Sequence, residues 1–317
     1  MYLLNNIKNL NFTNILALLI LIIFFKILFF FTGFVLEDSF IVFRSAFNLA
    51  DYGKFSYNLD ENNSATTSKI FGLICAFLRL IFKENAVLSI VVFNSVISFF
   101  SSLLILISVK NLFDLKQKIF SKNDVFFLTI LLFLNPSILL IGIVGLEFSI
   151  LVFFISLVLL GVIKNNKIFL TFIFFIPFIR IELIGFVLIL SFFYLYFLRW
   201  KNFITVIFFG IFGLLLNIYL NNLFDGSFFP GPAISKWSIL STSGDFSLNR
   251  ILTNLNYWFF SERSFFLGVY SKFIPNFIYT FTGVAVLIYT LSNFKYLLFN
   301  KFKNINLNEK IFLMTIS

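Results

Sequence analysis

Histidine is absent from all 317 residues. Its absence removes the usual neutral-pH general base and the commonest metal ligand. Cysteine occurs once, at Cys75, so an internal disulfide and a cysteine zinc cluster are both excluded. A lone cysteine without histidine is also a poor nucleophile, because nothing nearby takes its proton. No small-residue cleavage pattern follows the first apolar run, residues 15–36, so that run reads as a membrane span rather than a removed leader. No internal repeat is visible, and no polar stretch is large enough for a soluble domain.

Apolar side chains fill what remains. Hydrophobic residues make up 60% of the chain and the mean hydropathy is +1.00, which points to the bilayer as solvent. Phenylalanine alone contributes 53 residues, beside many Asn, Ile and Lys, a bias that AT-rich codons explain without any aromatic binding surface. The net charge of +10 does not imply nucleic acid as a partner. Basic residues gather in short loops between apolar runs, as the positive-inside rule requires.

Reading spans along the chain predicts an all-α, polytopic membrane bundle of about eight transmembrane helices, a single domain over residues 1–317. The first span contains Lys26, which reads as snorkelling or facing other helices. A first outer loop, 37–69, follows it. Residues 69–82 are apolar but too short to cross, and read as interfacial or re-entrant. Crossings are expected at 86–109, 125–144 (bent at Asn135–Pro136), 148–163, 168–179, 183–198, 203–220 and 276–291. Residues 221–275 form a second large outer loop, and 311–317 read as the start of another span. With the N-terminus inside, the inner loops are strongly basic and the outer segments carry both signs. Glu37–Asp38, Glu147, Arg180–Glu182 and the 221–275 loop then share one face. The expected location is a bacterial inner membrane, with those groups on the extracytoplasmic side.

Glu37 and Asp38 stand out, because two carboxylates at the outlet of a span cost desolvation energy unless water, a cation or a substrate meets them. After them, Phe40, Phe43, Phe47 and Ala50 recur at helical spacing, widened by Ile41 and Val42. Ser39, Arg44, Ser45, Asn48 and Asp51 occupy much of the rest, so an interfacial helix lying along the membrane surface is expected, closed by Gly53. Asp38 also suits the start of a helix, where acids meet the positive end of the dipole.

The run from Glu37–Asp38 through Arg44, Asn48–Leu49, Gly53, Phe55–Asn58, Glu61 and Thr67–Ser68 resembles the first outer loop of GT-C superfamily membrane glycosyltransferases. The arabinofuranosyltransferase-like family is the nearest in pattern. Gly145–Leu146–Glu147, Arg180–Ile181–Glu182 and the segment from Phe229–Pro230 to Lys236 echo further family motifs in the same order. The chain departs from the pattern at Glu37 (an Asp in the family), after Asn58 and Ser68 (no proline), and at Ile181 (a proline in the family). The resemblance implies an inverting transfer of a sugar from a polyprenyl-phosphate donor to a glycan or lipid acceptor of the cell envelope.

The residues suit that chemistry. A positioned carboxylate takes the proton of an acceptor hydroxyl, and cations stabilise the leaving phosphate. Asp38 is expected as the base, with Glu37 orienting it, meeting sugar hydroxyls or holding a divalent cation. Oxygen-only ligation by Glu37 and Asp38 would suit Mg²⁺ or Mn²⁺, although nothing demands a metal. Arg44, Arg180 and Lys236 are expected to meet phosphate. Each also has a plainer reading: the polar face of the first helix for Arg44, a hairpin anchor on Glu182 or Glu147 for Arg180, a loop lysine for Lys236. Glu147 reads first as a turn residue and then, with Glu182, as substrate-binding. A transporter or flippase of lipid-linked sugars, a polymerase or ligase of another fold, and an inactive polytopic paralogue are the competing readings.

Overall fold

A computed structural model describes residues 37–115 and 145–232, and those residues contain helices and no strand. The 15–36 span, the 125–144 crossing, the loop beyond 232 with Lys236, and the last spans lie outside the described residues, as does the side chain of Glu37. Two helical stretches, residues 69–105 and Trp200–Asp225, are long and apolar enough to cross a membrane.

Helix α1, Glu37–Tyr52, ends where Gly53 adopts φ +72° and donates its N–H to Leu49 O at 3.0 Å. A left-handed closing residue of this kind favours glycine. Helix α1 buries part of its polar face as well as part of its apolar stripe. Val42 and Phe43 of the apolar stripe enter the core together with Ala46, Ser39 and Ser45 are fully buried as well, and Phe40 is 53% exposed. The cause is local. Ser45 Oγ donates to Ser64 O in the returning loop, which satisfies a hydroxyl that would otherwise be costly inside. Ser39 is small enough for the 145–147 turn to press against it: a Cβ on Gly145 would stand 3.2 Å from Ser39 Cβ.

Helix α2, Lys69–Phe82, starts on a Ser68 cap that accepts from Phe71 N. Its 14 residues reach about 21 Å, short of the roughly 30 Å hydrocarbon core. Lys83, at φ +46°, and a 3₁₀ turn at Lys83–Asn85 then break the apolar run, so the stretch 69–105 is two helices with an elbow. Helix α3, Ala86–Leu115, is 30 residues long.

Helix α4, Phe148–Lys164, runs parallel to α3. Asn94 Nδ2 donates to Leu146 O at 3.2 Å and Ser149 Oγ to Asn94 Oδ1 at 2.7 Å, while further along both helices Leu104 and Ile107 pack on Leu157 and Leu160. Ser98, Ser101 and Ser102 are buried along α3, and small hydroxyl residues at a seam let two apolar helices approach closely.

Helices α5 (Lys167–Thr171) and α6 (Phe175–Ile179) are joined through a 3₁₀ turn at Phe172–Phe174. Helix α7, Ile184–Tyr196, and helix α8, Trp200–Asp225, complete the described bundle. Two close approaches seat α8. A Cβ on Gly213 would lie 2.0 Å from Phe174 O, and one on Gly210 would lie 2.3 Å from Val187 Cγ1. Asn217 Nδ2 donates to Pro177 O and Phe178 O, at 3.1 and 2.8 Å, and so satisfies carbonyls left open where α6 ends.

These contacts fix the ends of the bundle relative to one another. Thr67, Lys69, Glu147, Arg180 and Asp225 meet at one end through hydrogen bonds and ion pairs. The 164–167 and 199–202 connections meet at the other, where Asn202 Nδ2 donates to Asn165 Oδ1 at 2.8 Å beside Lys164, Lys167, Arg199 and Lys201.

Candidate functional site

The site is built at the end where the outer-loop residues gather. Asp38 occupies the first turn of α1 and is exposed, with neither an ion pair nor a side-chain hydrogen bond to other described residues. The contact of Gly145 with Ser39 sets the start of α1 against the 145–147 turn. Among the described residues no group of three His, Cys, Asp or Glu side chains is placed to hold a metal ion; the side chain of Glu37, expected beside Asp38 as a ligand, lies outside them.

Glu147 is not an open loop residue. Only 2% of it is exposed. Its Oε1 accepts from Thr67 Oγ1 at 3.2 Å and lies 3.7 Å from Arg180 Nε, while Oε2 is buried without any hydrogen-bond partner. Arg180 brings its Nε to 2.7 Å from Glu182 Oε1 and stands over the Phe148 ring at 5.3 Å. The Nε–H is aligned with neither carboxylate, so both contacts are ionic rather than hydrogen-bonded. Glu182 is 55% exposed and Arg180 22%. Arg180 thus does what the plainer reading expected, anchoring a hairpin on Glu147 and Glu182. Two carboxylates share its charge.

Arg44 is separate from this cluster. Its guanidinium lies 4.4 Å over Tyr57 and donates to Asn58 Oδ1 at 3.2 Å, and Asn58 in turn donates to Glu61. It opens onto a groove of about 500 Å³ walled by Phe40, Phe43, Phe47 and Val87. The structure therefore joins Glu147, Arg180 and Glu182, sets Asp38 at the neighbouring helix start, and leaves Arg44 on another face of α1.

One element escaped the sequence reading. Lys69 and Asp225 form an ion pair at 2.5 Å with both side chains 2% exposed. Lys69 Nζ also donates to Ser64 Oγ at 2.6 Å and Thr66 O at 2.9 Å, and Asp225 Oδ1 accepts from Ser64 N at 3.0 Å. Phe55 packs edge-on against Phe224, and its ring fills the space a Cβ on Gly72 would take. The loop between α1 and α2 is thereby bolted to the end of α8. In the sequence, Lys69 and Asp225 are unremarkable charges at the ends of two apolar runs, and only their shared end of the bundle would have suggested pairing. Cys75 is fully buried in α2, consistent with a packing role.

Compared with known proteins, the chain matches no family model, no curated protein and no solved structure.

Proposed function

We propose that this chain is an integral membrane glycosyltransferase of GT-C type, a bundle of about eight spans. In this reading it moves a sugar, with inversion, from a polyprenyl-phosphate donor to an envelope glycan or lipid at the extracytoplasmic face. The observation that carries the proposal is a convergence. Three sequence segments that echo the family, 37–39, 145–147 and 180–182, lie far apart in the chain and meet at one end of the bundle. Asp38 is the exposed carboxylate there, free to take a proton from an acceptor hydroxyl, an effect worth roughly 10²–10⁴ in rate. Arg44, on another face of α1, has no ion pair with the described residues and borders a largely apolar groove, which suits the phosphate of a lipid whose sugar reaches toward Asp38. Glu37 accompanies Asp38, and Lys236 is a second cation for the phosphate.

The test uses purified protein in liposomes with polyprenyl phosphates carrying radiolabelled pentose or hexose. Label arriving on an acceptor glycan or lipid, with the anomeric configuration inverted by NMR, is the expected result. Label crossing between leaflets with no transfer would instead identify a transporter, and neither event would identify an inactive paralogue.

A further inference from the structure

We infer that Glu147 Oε2 and the Arg180 guanidinium form a receptor for neighbouring hydroxyls of a sugar, with Glu182 as its place-holder; this rests on the glycosyl-transfer reading above. The starting observation is the unmatched oxygen. A buried carboxylate oxygen with no donor is expensive, and native proteins rarely leave one without a reason. Its orientation is fixed from behind. Thr67 Oγ1 holds the other oxygen, and the Thr67 backbone is held by the neighbouring lock, in which Lys69 bonds to Thr66 O and pairs with Asp225. Glu147 is therefore preorganised with one acceptor unspent.

Charge selects the ligand. Arg180 faces two carboxylates, Glu147 and Glu182, and Asp38 stands at the adjoining helix start, so among the described residues the fixed charge is negative and favours a hydrogen-bond donor over an anion at Oε2. A neutral pair of adjacent hydroxyls fits: one donates to Glu147 Oε2, the other accepts from Arg180. Glu182, 55% exposed, lies 2.7 Å from Arg180 Nε, and this half-exposed ion pair is the contact that a ligand on Arg180 displaces. Sugar hydroxyls replace Glu182 and reach Oε2 in the same movement.

Affinities are read from ligand-dependent thermal stabilisation of the full chain in nanodiscs. The probes are farnesyl phosphate alone and farnesyl phosphates bearing arabinofuranose, mannose or glucose. On the native chain at least one sugar-bearing probe should bind more tightly than farnesyl phosphate. Glu147→Gln should weaken that probe roughly ten- to hundredfold, as expected for losing a hydrogen bond to a charged group, while farnesyl phosphate binds as before. Glu182→Gln should strengthen the sugar-bearing probe by removing its competitor. Opposite signs for the two variants are the signature, since a purely structural ion-pair cluster would respond to both in the same direction. Equal weakening by both, no change in either, or no preference of the native chain for any sugar-bearing probe would overturn the inference. Loss of transfer in Asp38→Asn is read separately: if transfer survives there, the catalytic reading fails whatever the hydroxyl receptor does.

Discussion

Replacing Lys69 by Met should cost about 3–5 kcal/mol of stability, because it strands a buried charge. The geometry makes this specific. Lys69 Nζ is the only side-chain partner of Asp225 Oδ2 among the described residues, and both side chains are 2% exposed. Without it, Asp225 keeps a single hydrogen bond, from Ser64 N to Oδ1, and a full negative charge in an almost dry site. Asp225→Asn strands the ammonium instead and should cost a similar amount. The double variant removes both charges and should cost far less than the sum of the singles, since two neutral groups pack there at little penalty. Detergent-solubilised or nanodisc protein unfolded by denaturant gives the three differences and their coupling. Raising salt should leave the coupling unchanged, since a buried pair is weakly screened. Single variants costing less than about 1 kcal/mol, the range of an exposed pair, would refute the claim that this contact bolts the loop to α8.

Three further outcomes follow from other contacts. The Arg79–Asp51 pair at 2.9 Å has side chains 27% and 39% exposed, so Asp51→Asn should change stability by only ~0–1 kcal/mol and the effect should shrink with added salt. Gly213→Ala must push α8 off the Phe174 carbonyl, and should destabilise by roughly 1–3 kcal/mol in the same unfolding assay, whereas Gly185→Ala, with nothing within 4 Å, should not destabilise. Asn217→Leu leaves the Pro177 and Phe178 carbonyls without their shared donor and should cost about 1–3 kcal/mol.

Local features were legible in the sequence. The short apolar segment 69–82 and the α2 helix coincide because Ser68 caps one end and the elbow at Lys83 ends the other. Gly53 and the 145–147 turn were readable for the same reason, since both are decided by a few neighbouring residues. What depends on distant partners was not. Ser39 and Ser45 look like surface residues until the 145–147 turn and the Ser64 carbonyl arrive to bury them. Phe40 stays 53% exposed at the edge of the helical stripe, which an interfacial helix permits. The Lys69–Asp225 pair spans 156 positions, beyond any periodicity. At the site, the gathering of Glu147, Arg180 and Glu182 follows from span alternation, whereas the burial of Glu147 and its unmatched oxygen follow from the packing of α2, α4 and the loop between α1 and α2.

The carboxylate of Asp38 is the centre of the functional account, and its neutralisation is the most direct test. Native and Asp38→Asn protein, matched for thermal stability, are compared for the initial rate of sugar transfer from a radiolabelled polyprenyl-phosphate donor. A drop of about 10²–10⁴ with the fold intact is the predicted result. Undiminished transfer by Asp38→Asn would contradict the account.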